Sequence, residues 1–378
     1  MSLINIAADF QIPEIKSRLD DLLDTKYSLK FFDSSTVSAF DLKNIDALFV
    51  RSTLSVNRAL CEGTGVSFIA SATAGVNHLD IDFLESEHIA WSYAPGCNAY
   101  SVIHYVLAAI GELIKDKLFQ KNQSIGVLGY GNIGKRLYKI LKALNFDVYA
   151  CDPFISKSEL IDLESLLECD LVTVHVPLTI HGSYPTINLL NDSHIKKLSN
   201  KLIINTSRGE VISEALVMQA KDLIYISDVW INEPSPSREL IQKSYIATPH
   251  IAGYSIEGKL NGAKIIAENC AKQFQCLKTE ANKAEKLPNW PYEINNIIQD
   301  VHDMSFPMAL FNSELDLKSI SASLKALSIE EIERGFRSLR ENHPPRHDFN
   351  SFSFKNISQL DKKLDIEFFY DLGRAGYF

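Results

Sequence analysis

The sequence predicts an α/β protein built around a doubly wound parallel sheet. Three observations carry this. Short apolar runs alternate with helical patterns across residues 1–277. A glycine-spaced turn joins an apolar run to an amphipathic segment within residues 124–152. Finally, three successive strand ends further along each present a residue able to do chemistry, all at one edge of such a sheet.

In chain order, residues 4–8, 47–50, 67–70 and 90–93 read as strands of a first, flavodoxin-like half. Residues 99–114 follow as a long apolar helix. Runs at 125–129, 148–151, 171–176, 202–205, 224–227 and 245–248 then give six strands separated by crossovers. A helix over 255–277 returns to the first half. The expected organisation is a substrate domain made of 1–97 and 255–285, with a nucleotide domain at 98–254 inserted into it. Hinges fall near 95–100 and 252–256. Pro288, Trp290 and Pro291 mark a break, and 286–378 reads as a small α+β domain. It has helices at 319–326 and 329–341 and strand-like alternation at 348–354 and 365–369.

The turn reads Gly129-Tyr-Gly-Asn-Ile-Gly134. By itself GxGxxG is a weak signal. Here an apolar strand precedes it, an amphipathic helix follows, and a second strand ends in Asp152, which is the βαβ setting of a dinucleotide (Rossmann) site. Gly129 permits the tight turn, Gly131 lets backbone approach a pyrophosphate, and Gly134 lets the helix sit close to the sheet. Asn132 and Ile133 lie between them, where first-turn amides face the phosphates. Asp152 suits a ribose diol. With Pro153 and Phe154 after it, no arginine waits for a 2′-phosphate, so NAD is expected rather than NADP.

Composition narrows the partners. The chain has 378 residues, 46% apolar and 22% charged, with a net charge of −9, which argues against a nucleic-acid partner. The apolar helix at 99–114 holds His104 and Glu112 and is too short to cross a membrane, and no basic leader precedes the first strand. The six cysteines are scattered with no CxxC pair, so neither a metal nor a disulfide framework is expected, and a cytoplasmic home is.

Arg208 follows the run 202–207, Asp228 and Glu233 follow 223–227, and His250 follows 245–249. A guanidinium, two carboxylates and an imidazole thus reach the edge where ligands sit in open parallel sheets. Hydride transfer from a hydroxyl-bearing carbon suits this set. It needs a base for the hydroxyl proton, a carboxylate to hold the imidazole, and a planar cation for a substrate carboxylate. His250, Glu233 and Arg208 fill those parts, and Asp228 is placed to hold the nicotinamide carboxamide. Each has an ordinary alternative: a salt-bridged arginine, a turn cap before Pro234, a core histidine, a structural aspartate. His175 reads as a polar residue lining the cofactor pocket, while His78, His104 and His181 read as structural.

With those residues in view, the chain resembles the D-isomer-specific 2-hydroxyacid dehydrogenases. Asn205-Thr-Ser-Arg-Gly-Glu-Val211, Asp228-Val-Trp-Ile-Asn-Glu-Pro234 and Thr248-Pro-His-Ile-Ala-Gly253 are similar to its three catalytic blocks. The resemblance implies that Arg208, Glu233 and His250 have the roles argued above. Segments 50–53, 72–78, 94–98 and 250–258, with 336–340 and 345–346, are similar to a branch of the family acting on a phosphorylated 2-hydroxy acid. That implies substrate contacts from Ser52, Thr73 and Tyr254, a cofactor contact from Gly253, and a homodimer held by the C-terminal domain. Val176 stands beside the cofactor where relatives often carry a hydroxyl, and Ile231-Asn232 replaces a more usual Glu-Gly. Arg51 and Arg346 are candidate cations for the phosphate, each with a structural reading beside it. The rival readings are another D-2-hydroxy acid, phosphorylated (3-phosphoglycerate) or not, and a non-catalytic NAD sensor.

Overall fold

The computed structural model describes residues 3–278, 290–293, 315–348 and 352–355. The chain divides into two compact units, residues 1–98 with 255–287 and residues 99–254 with 288–378.

In the first unit, β1 (Ile4–Asp9), α1 (Ile15–Leu22), β2 (Tyr27–Phe32), β3 (Ala47–Val50), α2 (Arg58–Cys61), β4 (Phe68–Ser71), α3 (Ile81–Ser86) and β5 (Ala90–Tyr93) follow in order. The strands pair in parallel in the order β2-β1-β3-β4-β5, the flavodoxin-like arrangement. Strands β3 and β4 are buried along their whole length, as strands covered on both faces must be. One strand, β2, is not marked by the sequence pattern. It lies at the edge, alternates half-buried and exposed residues, and carries Lys30, so it lacks the apolar run that marks its neighbours.

The second unit runs α4 (Ala99–Lys115), β6 (Ser124–Leu128), α5 (Gly134–Ala143), β7 (Asp147–Cys151), α6 (Leu163–Leu166), β8 (Leu171–Val174), α7 (Ile195–Leu198), β9 (Leu202–Asn205), α8 (Glu214–Gln219), β10 (Ile224–Ser227), α9 (Arg238–Lys243) and β11 (Ile246–Ala247). Its parallel sheet has the order β7-β6-β8-β9-β10-β11. Winding reverses between β6 and β8, and ligands of such sheets bind outside the strand ends at that reversal. Helix α4 is buried along most of its length and belongs to the main core of this unit. The strand expected at 171–176 stops at Val174, and that expected at 245–248 shortens to two residues.

The chain then re-enters the first unit as α10 (Ile256–Gln273), with Ser255 accepting the Gly258 amide as its cap. Beyond it come β12 (Trp290–Glu293), α11 (Leu317–Lys325), α12 (Ile332–Glu341) and β13 (Phe352–Lys355), with β12 and β13 paired in parallel. The sequence reading expects a separate domain over 286–378, yet residues 288–378 group with the second unit. The reason is packing: Leu315 and Leu317 enter that unit's main core, while Leu324, Ile332 and Phe336 enter the core on the sheet's other face. Pro288 and the strand expected at 365–369 lie outside the described residues.

Candidate active site

Arg208 emerges just after β9. Asn205 at the end of that strand is fully buried and fixes the loop, because its Nδ2 donates to the Arg208 carbonyl at 3.1 Å while its Oδ1 accepts from the Ser207 amide. The guanidinium is half-buried and its Nη1 donates to the Ser207 carbonyl at 2.7 Å. Burial lowers its pKa, Glu233 and Glu210 oppose that, and Arg340 adds to it. The group stays a cation, as arginine does in proteins.

The next loop leaves β10 and is pressed against the first. A Cβ on Gly209 would lie 2.1 Å from the Trp230 carbonyl carbon, so only glycine permits this approach. The Trp230 amide donates to Glu233 Oε1 at 2.9 Å, and Glu233 Oε2 lies 2.6 Å from His250 Nδ1. An ionised carboxylate only accepts, so Nδ1 carries the proton and Nε2 is left for a reacting group. Burial raises the Glu233 pKa, but His250, the Trp230 amide and Arg340 outweigh it and hold the carboxyl below its ordinary value. His250 has a positive φ of 57°, an uncommon backbone state for a non-glycine residue and one found disproportionately at functional sites.

Asp228 explains why that strained loop holds its shape. Its Oδ1 accepts from the Thr248 hydroxyl at 2.7 Å and from the Ile251 amide at 2.8 Å, and its Oδ2 accepts from the Ala252 amide at 2.8 Å. Tyr105 and Trp230 extend the network, the tyrosine hydroxyl to Thr248 Oγ1 and the indole N–H to the Thr248 carbonyl. The aspartate is 1% exposed, and burial pushes it up to about 6 against these bonds. Most of its acceptor capacity is therefore spent on the His250 loop. The carboxamide contact expected of it has only one remaining site, on Oδ2.

At the sheet reversal, the turn after β6 meets the ends of β7 and β8. The Tyr130 amide donates to Asp152 Oδ2 at 2.9 Å, so the acid is fixed beside the glycines. His175 bonds Thr173 through Nε2 and Thr206 through Nδ1, and burial pushes it down to about 3, which keeps it neutral. Val176 packs close to the turn at Gly129. Gly253 is half-buried two residues past Ile251, and Tyr254 follows it.

The family described as D-isomer specific 2-hydroxyacid dehydrogenase, NAD binding domain, matches residues 115–252, a span that holds the glycine turn and all three loops. Among solved structures, the chain is similar to NAD+-bound 3-phosphoglycerate dehydrogenase of Entamoeba histolytica, with a TM-score of 0.61 and 24% identity over 72% of this chain and 96% of that one. The erythronate-4-phosphate dehydrogenase of Cellvibrio japonicus is 34% identical over 86% of this chain and 89% of the relative. That of Shewanella loihica is 31% identical over 99% of both. The chain belongs to the erythronate-4-phosphate dehydrogenase family.

For a member of this family, the fit of NAD can be tested on the chain's own residues. A Cβ on Gly134 would fall 1.9 Å from the Gly129 carbonyl oxygen, so that glycine serves the fold. A Cβ on Gly131 would meet nothing within 4 Å. The fold does not need glycine at 131, but a pyrophosphate lying on the turn does. Helix α5 begins at Gly134, so first-turn amides without intrahelical partners surround the same point. Asp152 retains acceptor sites for a ribose diol. The residues fit the cofactor.

In the first unit, Ser52 is exposed after β3, and Thr73 follows β4 with its hydroxyl bonded to Ser71 and the Gly75 carbonyl. The close approach of Gly262 to the Ala72 carbonyl braces that loop against α10. Both candidate phosphate cations have partners within the chain. The Arg51 guanidinium bonds the Gln11 side chain and lies 3.9 Å from Asp9. Arg346 is 2% exposed, and its Nη2 donates to the carbonyls of Ala252 at 2.7 Å and Ser101 at 3.2 Å. Sequence reasoning missed Asn205, Thr248, Tyr105 and Arg340. Asn205 and Thr248 sit inside the motif blocks, so strand-end position marks them. Arg340 falls in the 336–340 segment that resembles the phosphorylated-substrate branch, with no role attached to it there, and nothing local marks Tyr105.

Among the described residues, no cluster of His, Cys, Asp or Glu is arranged to hold a metal, and no helix is long and apolar enough to cross a membrane. All six cysteines are buried and unbridged.

Proposed function

We propose that this chain oxidises 4-phospho-D-erythronate at C2 to 2-oxo-3-hydroxy-4-phosphobutanoate, a step toward pyridoxal 5′-phosphate, and that it works as a homodimer in a reducing compartment. The observation that carries the chemistry is the 2.6 Å pairing of Glu233 with His250 beside Arg208. The substrate name rests on relatives at 31–34% identity along most of the chain.

Bound NAD supplies the hydride acceptor. Arg208 offers its planar fork to the substrate carboxylate and orients C2. His250 Nε2 takes the C2 hydroxyl proton, and Glu233 stabilises the resulting imidazolium through Nδ1. In reverse, the same imidazolium returns the proton to the carbonyl oxygen. Asp228 holds the loop that aims His250, while Ser52, Thr73 and Tyr254 are proposed substrate contacts.

A substrate panel on purified protein tests the reading. NAD-dependent turnover of 4-phospho-D-erythronate should exceed that of 3-phosphoglycerate and of unphosphorylated D-2-hydroxy acids by at least about tenfold in kcat/KM. Turnover of 3-phosphoglycerate without 4-phosphoerythronate would overturn the substrate. His250→Ala should remove several orders of magnitude of turnover and leave NAD binding intact. Wild-type protein that binds NAD and turns over nothing would support the sensor reading instead.

A further inference from the structure

Helix α12 carries a charge on its inward side. Ile332 and Phe336 are buried, and Arg340 is the next residue on that i, i+4, i+8 row. One turn earlier, Arg337 pairs with Glu333 at 3.1 Å on the exposed side. Arg340 does neither of the usual things. It is half-buried, its Nε is shielded from solvent with no hydrogen-bond partner, and it enters no ion pair among the described residues.

Its surroundings are the reaction site. The guanidinium carbon lies over the Tyr254 ring, 5.5 Å from the centroid. The same cation acts electrostatically on both Glu233 and Arg208. Two arginines are thus held near one carboxylate that is already committed to His250. Like charges kept together in a partly desolvated place are costly unless an anion joins them.

We propose that Arg340 receives the distal phosphate of the substrate. The inference rests on the phosphorylated-substrate reading above and deepens it. A substrate carrying a carboxylate and a phosphate ester brings two anionic groups, the phosphate alone carrying about −1.5 to −2 at neutral pH. Arg208 is matched to the carboxylate, since one planar fork is filled by one bidentate partner. The second anionic group needs a second cation. Arg340 supplies donors and a charge not spent within the described chain, with Tyr254 as a platform that fixes its plane.

The test compares full-length wild type, Arg340→Ala, Arg340→Gln and Arg340→Lys on 4-phospho-D-erythronate and on D-erythronate, with NAD binding measured in each. Loss of the phosphate contact should lower kcat/KM for the phosphorylated substrate about a hundredfold in the alanine and glutamine variants, mostly through KM. The lysine variant should recover part of it. Turnover of D-erythronate should fall at least about tenfold less than that of the phosphorylated substrate, and competitive inhibition by inorganic phosphate should weaken about tenfold or more. Equal losses on both substrates, with phosphate inhibition unchanged, would overturn the assignment and make Arg340 a support for Tyr254 or Glu233. No loss on either would overturn it as well. If wild type prefers 3-phosphoglycerate, the substrate reading fails separately, and 3-phosphoglycerate against D-glycerate then poses the same question to the same variants.

Discussion

His250 has one ring nitrogen committed to Glu233 and one left to react. Removing the charge behind it tests that division of labour. Glu233→Gln keeps the shape but loses the stabilisation of the imidazolium, so kcat should fall about 10²–10⁴-fold with NAD affinity unchanged. Stopped-flow NADH absorbance and an NAD titration read the two. Asp228 gives a prediction about stability and pH. Its folded pKa of about 6 lies above the ordinary 3.8, so between those values the folded chain binds a proton that the unfolded chain has released. Stability from this group therefore declines as pH rises through that window. Urea titrations at several pH values should show the decline in wild type and lose it in Asp228→Asn.

At the scale of the element, the glycine turn separates what the fold needs from what the ligand needs. Gly134→Ala pushes a methyl into the Gly129 carbonyl and should destabilise the second unit by several kcal/mol. Gly131→Ala meets open space, so its melting temperature should match wild type while its Kd for NAD rises about tenfold or more. Calorimetry and NAD titration on the pair distinguish the two roles. The same contrast explains what the sequence made legible. Strands β6, β8, β9 and β10 stand out because burial on both faces makes them near-continuous apolar runs, and the catalytic candidates stand out because they follow strand ends directly. Edge strand β2 lacks that signature. The partners of Asp228 are mostly backbone amides 23 and 24 residues away, which no side-chain pattern encodes. Arg340 sits on a helix whose existence is readable, but its target depends on how residues 315–348 dock.

Across the whole molecule, that docking closes the sheet. Helix α11 lies along the short edge strand β11, with Ser321 Oγ accepting the Ala247 amide at 2.9 Å. Lys325 bonds the Ser244 carbonyl, Gln242 donates to the Lys325 carbonyl at 2.7 Å, and Lys318 pairs with Asp116. An exposed strand edge invites pairing with another chain, and this cover blocks it. Leu324→Ala should cost about 2–5 kcal/mol and lower the thermal midpoint of the full chain. The proposed homodimer is a separate matter for light scattering on the intact chain and on one ending near residue 285. A dimer that survives the truncation would refute the assignment of dimerisation to the C-terminal residues.

Arg346 has a consequence in time. It grips the carbonyl of Ala252, whose amide Asp228 also holds, two residues beyond His250. A ribosome releases residue 346 nearly a hundred residues after the imidazole it helps to seat. Until then a nascent chain owns every reacting group and lacks the fastener. A chain trimmed before residue 346 should therefore keep every reacting group and lose turnover, which an NADH assay on the trimmed protein reads.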